Sequence, residues 1–160
     1  MKKLLIIAVF TAFSYVTTAQ NTGFRIGGGI SVDIPVSNLD GASIGVGVDL
    51  LGQYGISSSL AITGDVGYHS IFAKDDDAES LGIIPIRAGI RFFPSATNLY
   101  LGGKVGVGIL TGGGDGSTTA YSFGAGYKMD EKLDIGLSYD GYSKNGSIGL
   151  IAIRLGYFFN

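Results

Sequence analysis

From Gly23 onward, bulky apolar residues alternate with small or polar ones, the period of two shown by extended chains with two unlike faces. In the first run Phe24, Ile26, Ile30, Val32 and Ile34 share one face, and Arg25, Gly27, Gly29, Ser31 and Asp33 share the other. Ile44, Val46, Val48 and Leu50 then oppose Ser43, Gly45, Gly47 and Asp49. Leu60, Ile62, Val66, Tyr68 and Phe72 oppose Ser59, Thr63, Asp65, Gly67 and His69, and Ile84, Ile86, Ala88, Ile90 and Phe92 oppose Pro85, Arg87, Gly89 and Arg91. In the second half Leu99, Leu101, Val105, Val107 and Ile109 oppose Tyr100, Lys104, Gly106 and Gly108, and Tyr121, Phe123, Ala125 and Tyr127 oppose Ser122, Gly124, Gly126 and Lys128. Leu133, Ile135, Leu137 and Tyr139 face away from Asp134, Gly136, Ser138 and Asp140, and Gly149, Ile151, Ile153, Leu155, Tyr157 and Phe159 face away from Ala152, Arg154 and Gly156. The pattern predicts eight strands of about ten residues, the length that a tilted strand needs to cross a bilayer.

Turn-rich segments separate the runs: Pro35 to Asp40, Gly52 to Ser57, Ala73 to Ser80, Pro94 to Asn98, Thr111 to Ser117, Asp130 to Lys132 and Ser143 to Gly146, the last holding the hairpin dipeptide Asn145-Gly146. Connections this short make successive strands antiparallel neighbours. The expected fold class is all-β: an eight-stranded antiparallel up-and-down transmembrane β-barrel with both termini in the periplasm. The apolar face is bulky and almost free of charge, as hydrocarbon demands, since a Lys or Arg at mid-membrane there would cost about 2–4 kcal/mol. The other face is rich in glycine and small residues, which suits the narrow interior of an eight-stranded barrel. Aromatic residues collect at strand ends and predict interfacial girdles: Phe24, Phe92, Tyr127, Tyr157 and Phe159 at the periplasmic end, with Phe72, Tyr121 and Tyr139 at the other.

The first residues depart from this pattern. Lys2 and Lys3 precede an apolar stretch, Leu4 to Val16, and Thr17-Thr18-Ala19 supplies small residues for cleavage before Gln20. Residues 1–19 read as a signal peptide and 20–160 as the barrel domain. The leader's apolar stretch falls short of the ~20 residues of a spanning helix, so the route into a membrane is the barrel. Composition agrees: Gly 28 with no triplet period, charged residues only 15%, and no Cys to form a disulfide or thiolate site. A net charge of −2 offers no basic footprint for nucleic acid.

Buried charges need partners. Folding each hairpin about its turn pairs Arg25 with Asp49 and Asp65 with Arg87, and sets Asp134 between Lys128 and Arg154; these are the expected internal ion pairs, bracing the lumen and filling it. The sole His, His69, points inward near Asp65 and the outer rim and reads as a hydrogen-bonded internal residue, since a lipid-modifying nucleophile would have to reach lipid. Asp75-Asp76-Asp77 with Glu79 fails the calcium-loop pattern because Ser80 takes the glycine position. Gly112 to Gly116 lacks the Lys-Ser/Thr of a phosphate loop and reads as a turn. No catalytic, cofactor or metal residue is predicted.

The terminal strand Ile151-x-Ile153-x-Leu155-x-Tyr157-x-Phe159 resembles the C-terminal assembly signal of outer-membrane barrels, with Phe159 penultimate rather than last. Together with the segment from Ile84 to Phe93 and the strands ending in Gly-Tyr, it makes the chain similar to the outer-membrane β-barrel-domain family, the small eight-stranded barrels of the OmpA/OmpX type. The resemblance implies a Gram-negative outer membrane and insertion by the barrel-assembly machinery. The functional expectation is a monomeric, non-enzymatic structural or interaction barrel in contact with outer-membrane lipid, its lumen filled by side chains. The alternatives are a small porin-like solute or ion channel and, less well matched by a charged interior, a soluble lipocalin-like barrel.

Overall fold

The computed structural model describes residues 23–37, 41–74, 79–94, 98–112, 115–143 and 147–160. The leader, Asp75 to Asp77 and Asn145-Gly146 lie outside the described residues. Eight strands follow in chain order: β1 (Phe24–Ser37), β2 (Ala42–Gly55), β3 (Leu60–Ala73), β4 (Leu81–Phe92), β5 (Leu99–Gly112), β6 (Gly116–Lys128), β7 (Leu133–Ser143) and β8 (Ser147–Phe158). Each pairs antiparallel with the next, and β1 pairs with β8, so the sheet closes on itself. Closure pairs the backbone donors and acceptors across strands, the condition for a strand structure to enter hydrocarbon. Among the described residues no helix is long and apolar enough to cross a membrane, which says nothing about a barrel.

The strands run from 11 to 14 residues, longer than expected, because alternation continues through segments that looked like turns. Gln53 points inward and Tyr54 outward, so β2 reaches Gly55 and the turn expected from Gly52 shrinks to Ile56 to Ser59. There the amides of Ile56 and Ser57 donate to the Leu60 carbonyl at 2.9 and 3.1 Å. Similarly, Pro35, Val36 and Ser37 belong to β1, while Gly112 and Gly116 turn the chain between β5 and β6 with φ of 71° and 99°, values that favour glycine.

Both strand prolines sit where a ladder is interrupted, as a residue without N–H must. Pro35 lies beyond the last β1–β2 pair, Asp33 with Gly45, and beside a register shift against β8. Pro85 falls between the β3–β4 pairs Val66 with Ile86 and His69 with Ile83. At the seam the Asn160 side chain continues the ladder past Phe159: its Oδ1 accepts from the Ile26 amide at 2.9 Å and its Nδ2 donates to the Phe24 carbonyl at 3.1 Å. The departure from a terminal phenylalanine thus has a structural use.

Every charged residue on the described strands faces inward, and the outward positions carry none. Outward aliphatics are open, with Ile30 and Val105 each 61% exposed, as lipid contact requires. Phe24, Phe92, Tyr127, Tyr157 and Phe159 face outward near the end where β1 starts and β8 finishes, joined there by Tyr54; Phe72 faces outward near the opposite end. Tyr121 and Tyr139 depart from the expected rim position. Because β6 begins at Gly116 and β7 continues to Ser143, both lie well inside their strands, and with Phe123 they form an aromatic patch, with ring centroids 6.4 Å apart for Tyr121–Tyr139 and 5.3 Å for Phe123–Tyr139.

Candidate functional site: the charged lumen

The inward side chains form three layers. At the end bearing the β3–β4 and β7–β8 turns, Ile71, Ile83, Ala120, Tyr142 and Leu150 are buried against one another, with Leu81, Leu110 and Ile148 packed on them. Below this apolar cap lie the charges. At the end bearing the chain termini, Phe93 and Tyr100 are buried with Ala61, their rings 5.9 Å apart.

Two charge networks occupy the middle layer, each with two cations and two carboxylates. In the first, Arg87 bonds Asp65 at 2.8 Å on the adjacent strand and Asp140 at 2.8 Å across the barrel, while Lys104 reaches Asp65 at 2.7 Å. Ser122 and Ser138 donate to the other Asp140 oxygen at 2.7 and 2.9 Å. In the second, Arg154 holds Asp49 through two parallel bonds of 2.7 Å and Asp134 at 3.0 Å, and Arg91 bonds Asp134 at 2.9 Å and Gln53 at 3.1 Å. Burial of isolated charges would be prohibitive; here each carboxylate meets at least one cation, and the forked guanidinium–carboxylate contact adds fixed direction.

The partners were chosen by glycines. Arg154 on β8 reaches Asp49 on β2 by lying over Gly29 of the strand between, where a Cβ would overlap the guanidinium. Lys104 on β5 crosses Gly89 of β4 to reach Asp65 on β3, and His69 on β3 crosses Gly47 of β2 to reach Asp33 on β1. The last contact is 2.6 Å between His69 Nδ1 and Asp33 Oδ2, and Ser31 donates to the other oxygen of Asp33 at 3.0 Å. Ser31 therefore bonds the carboxylate rather than the imidazole, and both lie buried inside the barrel. Among the described residues no group of His, Asp and Glu is placed to hold a metal ion.

Set against the sequence, Asp65 and Arg87 are brought together, as are Asp134 and Arg154. Arg25 and Asp49 are not: Arg25 lies opposite Gln53, with its guanidinium 4.2 Å above the Phe158 ring, and Asp49 belongs to Arg154. Lys128 is opposite Asp134 in register, and its Nζ lies 5.5 Å from the centroid of the Phe93 ring. His69 belongs to Asp33 rather than to the neighbourhood of Asp65. Arg91, Lys104 and Asp140 are network members that pairing of adjacent strands does not find; the signal for Lys104 was the glycine opposite it.

Outside the membrane span, Asp130 caps the β6–β7 turn by accepting from the Lys132 and Leu133 amides, both at 2.7 Å, which holds its carboxyl below the ordinary value.

The comparisons agree with this architecture. The sequence matches the family described as outer membrane protein beta-barrel domain over residues 4–159. No curated protein matches it. Among solved structures, the N-terminal β-barrel domain of Pseudomonas aeruginosa OprF is 13% identical, covering 89% of this chain and 100% of its own, with a TM-score of 0.65. Ail, the attachment invasion locus protein of Yersinia pestis, is 17% identical over 85% of this chain and 97% of its own, with a TM-score of 0.62. A de novo designed transmembrane β-barrel is 21% identical over 88% and 99%, with a TM-score of 0.56. Likeness to a designed barrel as well as to natural ones marks what is shared as the fold alone. A closed antiparallel barrel with an uncharged outer face, matched over nearly its whole length by the family, belongs to the outer membrane protein β-barrel-domain family and is an integral protein of the outer membrane.

Proposed function

We propose that the protein is a non-enzymatic structural or interaction barrel whose lumen does not conduct. The observation that supports this reading is the packing inside the barrel: an apolar cap of Ile71, Ile83, Ala120, Tyr142 and Leu150 above two neutral ion networks. Eight strands leave an interior just wide enough for side chains, whereas larger porins keep an aqueous channel. The same reading has residues 1–19 removed as a signal peptide, both ends of the mature chain in the periplasm, insertion by the barrel-assembly machinery, and a monomer surrounded by outer-membrane lipid. Planar-bilayer recording of the purified protein tests it. Silence is expected, and reproducible unitary conductance would make the barrel a small channel instead.

A further inference from the structure

We infer that the lumen contains a binding site for a small inorganic anion of halide size, in the half nearer the chain termini. A cavity of about 50 Å³ lies between the two ion networks, lined by Arg91, Arg154, Lys104, Tyr100, Ser122 and Ser138, with glycines of β5, β6 and β7. A water needs about 10–15 Å³ of such space, so a halide fits with a water beside it. The wall carries three cations and no carboxylate, Asp49, Asp65, Asp134 and Asp140 lying outside it; the hydroxyls of Tyr100, Ser122 and Ser138 give their O–H to Asp134 and Asp140, so the cations are the donors that face the cavity.

Three further observations support the assignment. The Lys104 and Arg154 side chains keep 16% and 14% exposure, against 4% and 5% for Arg87 and Arg91, and because both point inward that exposure is to the lumen. The inward face of the described strands carries six Lys and Arg against five Asp, His69 aside; the two networks beside the cavity balance, so the cation in excess lies at the terminal mouth, where it draws anions toward the cavity. Arg25 and Lys128, stacked on Phe158 and Phe93, flank the approach from the terminal end, while the opposite end is closed by an apolar cluster that offers an anion nothing. A halide accepts N–H donors from several directions, which the Lys104 ammonium and Arg154 guanidinium supply through the N–H groups left over from their bonds to Asp65, Asp49 and Asp134.

The test is urea unfolding of the micelle-embedded protein in sodium chloride or bromide, against sodium gluconate at equal ionic strength, an anion too bulky for the cavity. A saturable, halide-specific rise in the unfolding midpoint is expected; at ten times the dissociation constant the folding equilibrium constant grows about 11-fold. Chloride-35 NMR line broadening by the folded wild type, competed away by bromide, reports the same site without any variant. Lys104→Gln weakens both effects, and Arg25→Gln leaves them in place. Equal behaviour in halide and gluconate, or broadening that never saturates, overturns the proposal. So does loss in Arg25→Gln with retention in Lys104→Gln, which puts the anion at the mouth.

Discussion

The two halves of the barrel interior are lined by different chemistry. The cap at the far end is apolar: Ile71, Ile83 and Leu150 are at most 1% exposed and stabilise by packing without asking for partners. The half nearer the termini is polar, and Arg91 there is as buried as its neighbours only because Asp134, Gln53 and the face of Tyr100, 4.2 Å away, all receive it. Apolar filling tolerates loss of one member by leaving a void. Ionic filling does not, since removing one charge leaves another buried and uncompensated. The difference teaches that a side-chain-filled barrel can be cheap to hold at one end and brittle at the other.

The largest test of that contrast is Arg91→Leu, expected to destabilise the folded barrel by about 3–5 kcal/mol in urea unfolding from micelles. Replacing Arg91, Asp134, Arg154 and Asp49 together by apolar residues of similar volume recovers most of the loss. If the fourfold variant is as unstable as the single one, brittleness is not a matter of unpaired charge. Next comes Ile83→Ala in the cap, at about 2–5 kcal/mol with the cost rising with the void left behind. The triple variant Ile71→Ala, Ile83→Ala, Leu150→Ala remains silent in bilayers because the ion networks still lie below the cap; conductance from it would make the cap the sole barrier.

How far the sequence foretold this differs between the faces. The outer face was readable because a period of two depends on each residue alone: Ile30, Val48 or Leu155 announces its side whatever lies opposite. Inner pairings depend on which residue lies two strands away. Asp65 with Arg87 was readable because the partners are direct neighbours in register. Hairpin folding pairs Asp49 with Arg25, but a missing Cβ at Gly29 admits Arg154 from β8, a strand that hairpin folding never sets beside β2. Strand ends are hard to read for a related reason: Gln53 and Tyr54 have the look of turn residues, and the Gln53 contact with Arg91 helps keep them in β2. Glycines opposite charged residues are the sequence feature that would have corrected the pairings.

At the terminal mouth the effects become smaller. Arg25→Ala loses a ring contact at a half-buried site and is expected to cost about 0.5–2 kcal/mol in the same unfolding assay. A loss comparable to that of Arg91→Leu would make the mouth as brittle as the network above it.

The smallest expected effect lies outside the lumen, at Asp130. Its carboxylate accepts two backbone amides in the β6–β7 turn and is held below the ordinary value of 3.8. A group whose folded value is depressed stabilises above its unfolded value, and that contribution disappears as pH falls through the folded one. The wild type should therefore exceed Asp130→Ala in stability at neutral pH, with the gap narrowing as pH drops below about 4. Because Asp130 is fully exposed, solvent screens the contact and the gap is small at any pH. Parallel unfolding curves for the two proteins between neutral and acidic pH check the sign. A gap that widens on acidification would mean that the turn is held by something other than the ionised carboxylate, and that the terminal end owes its order to the buried network alone.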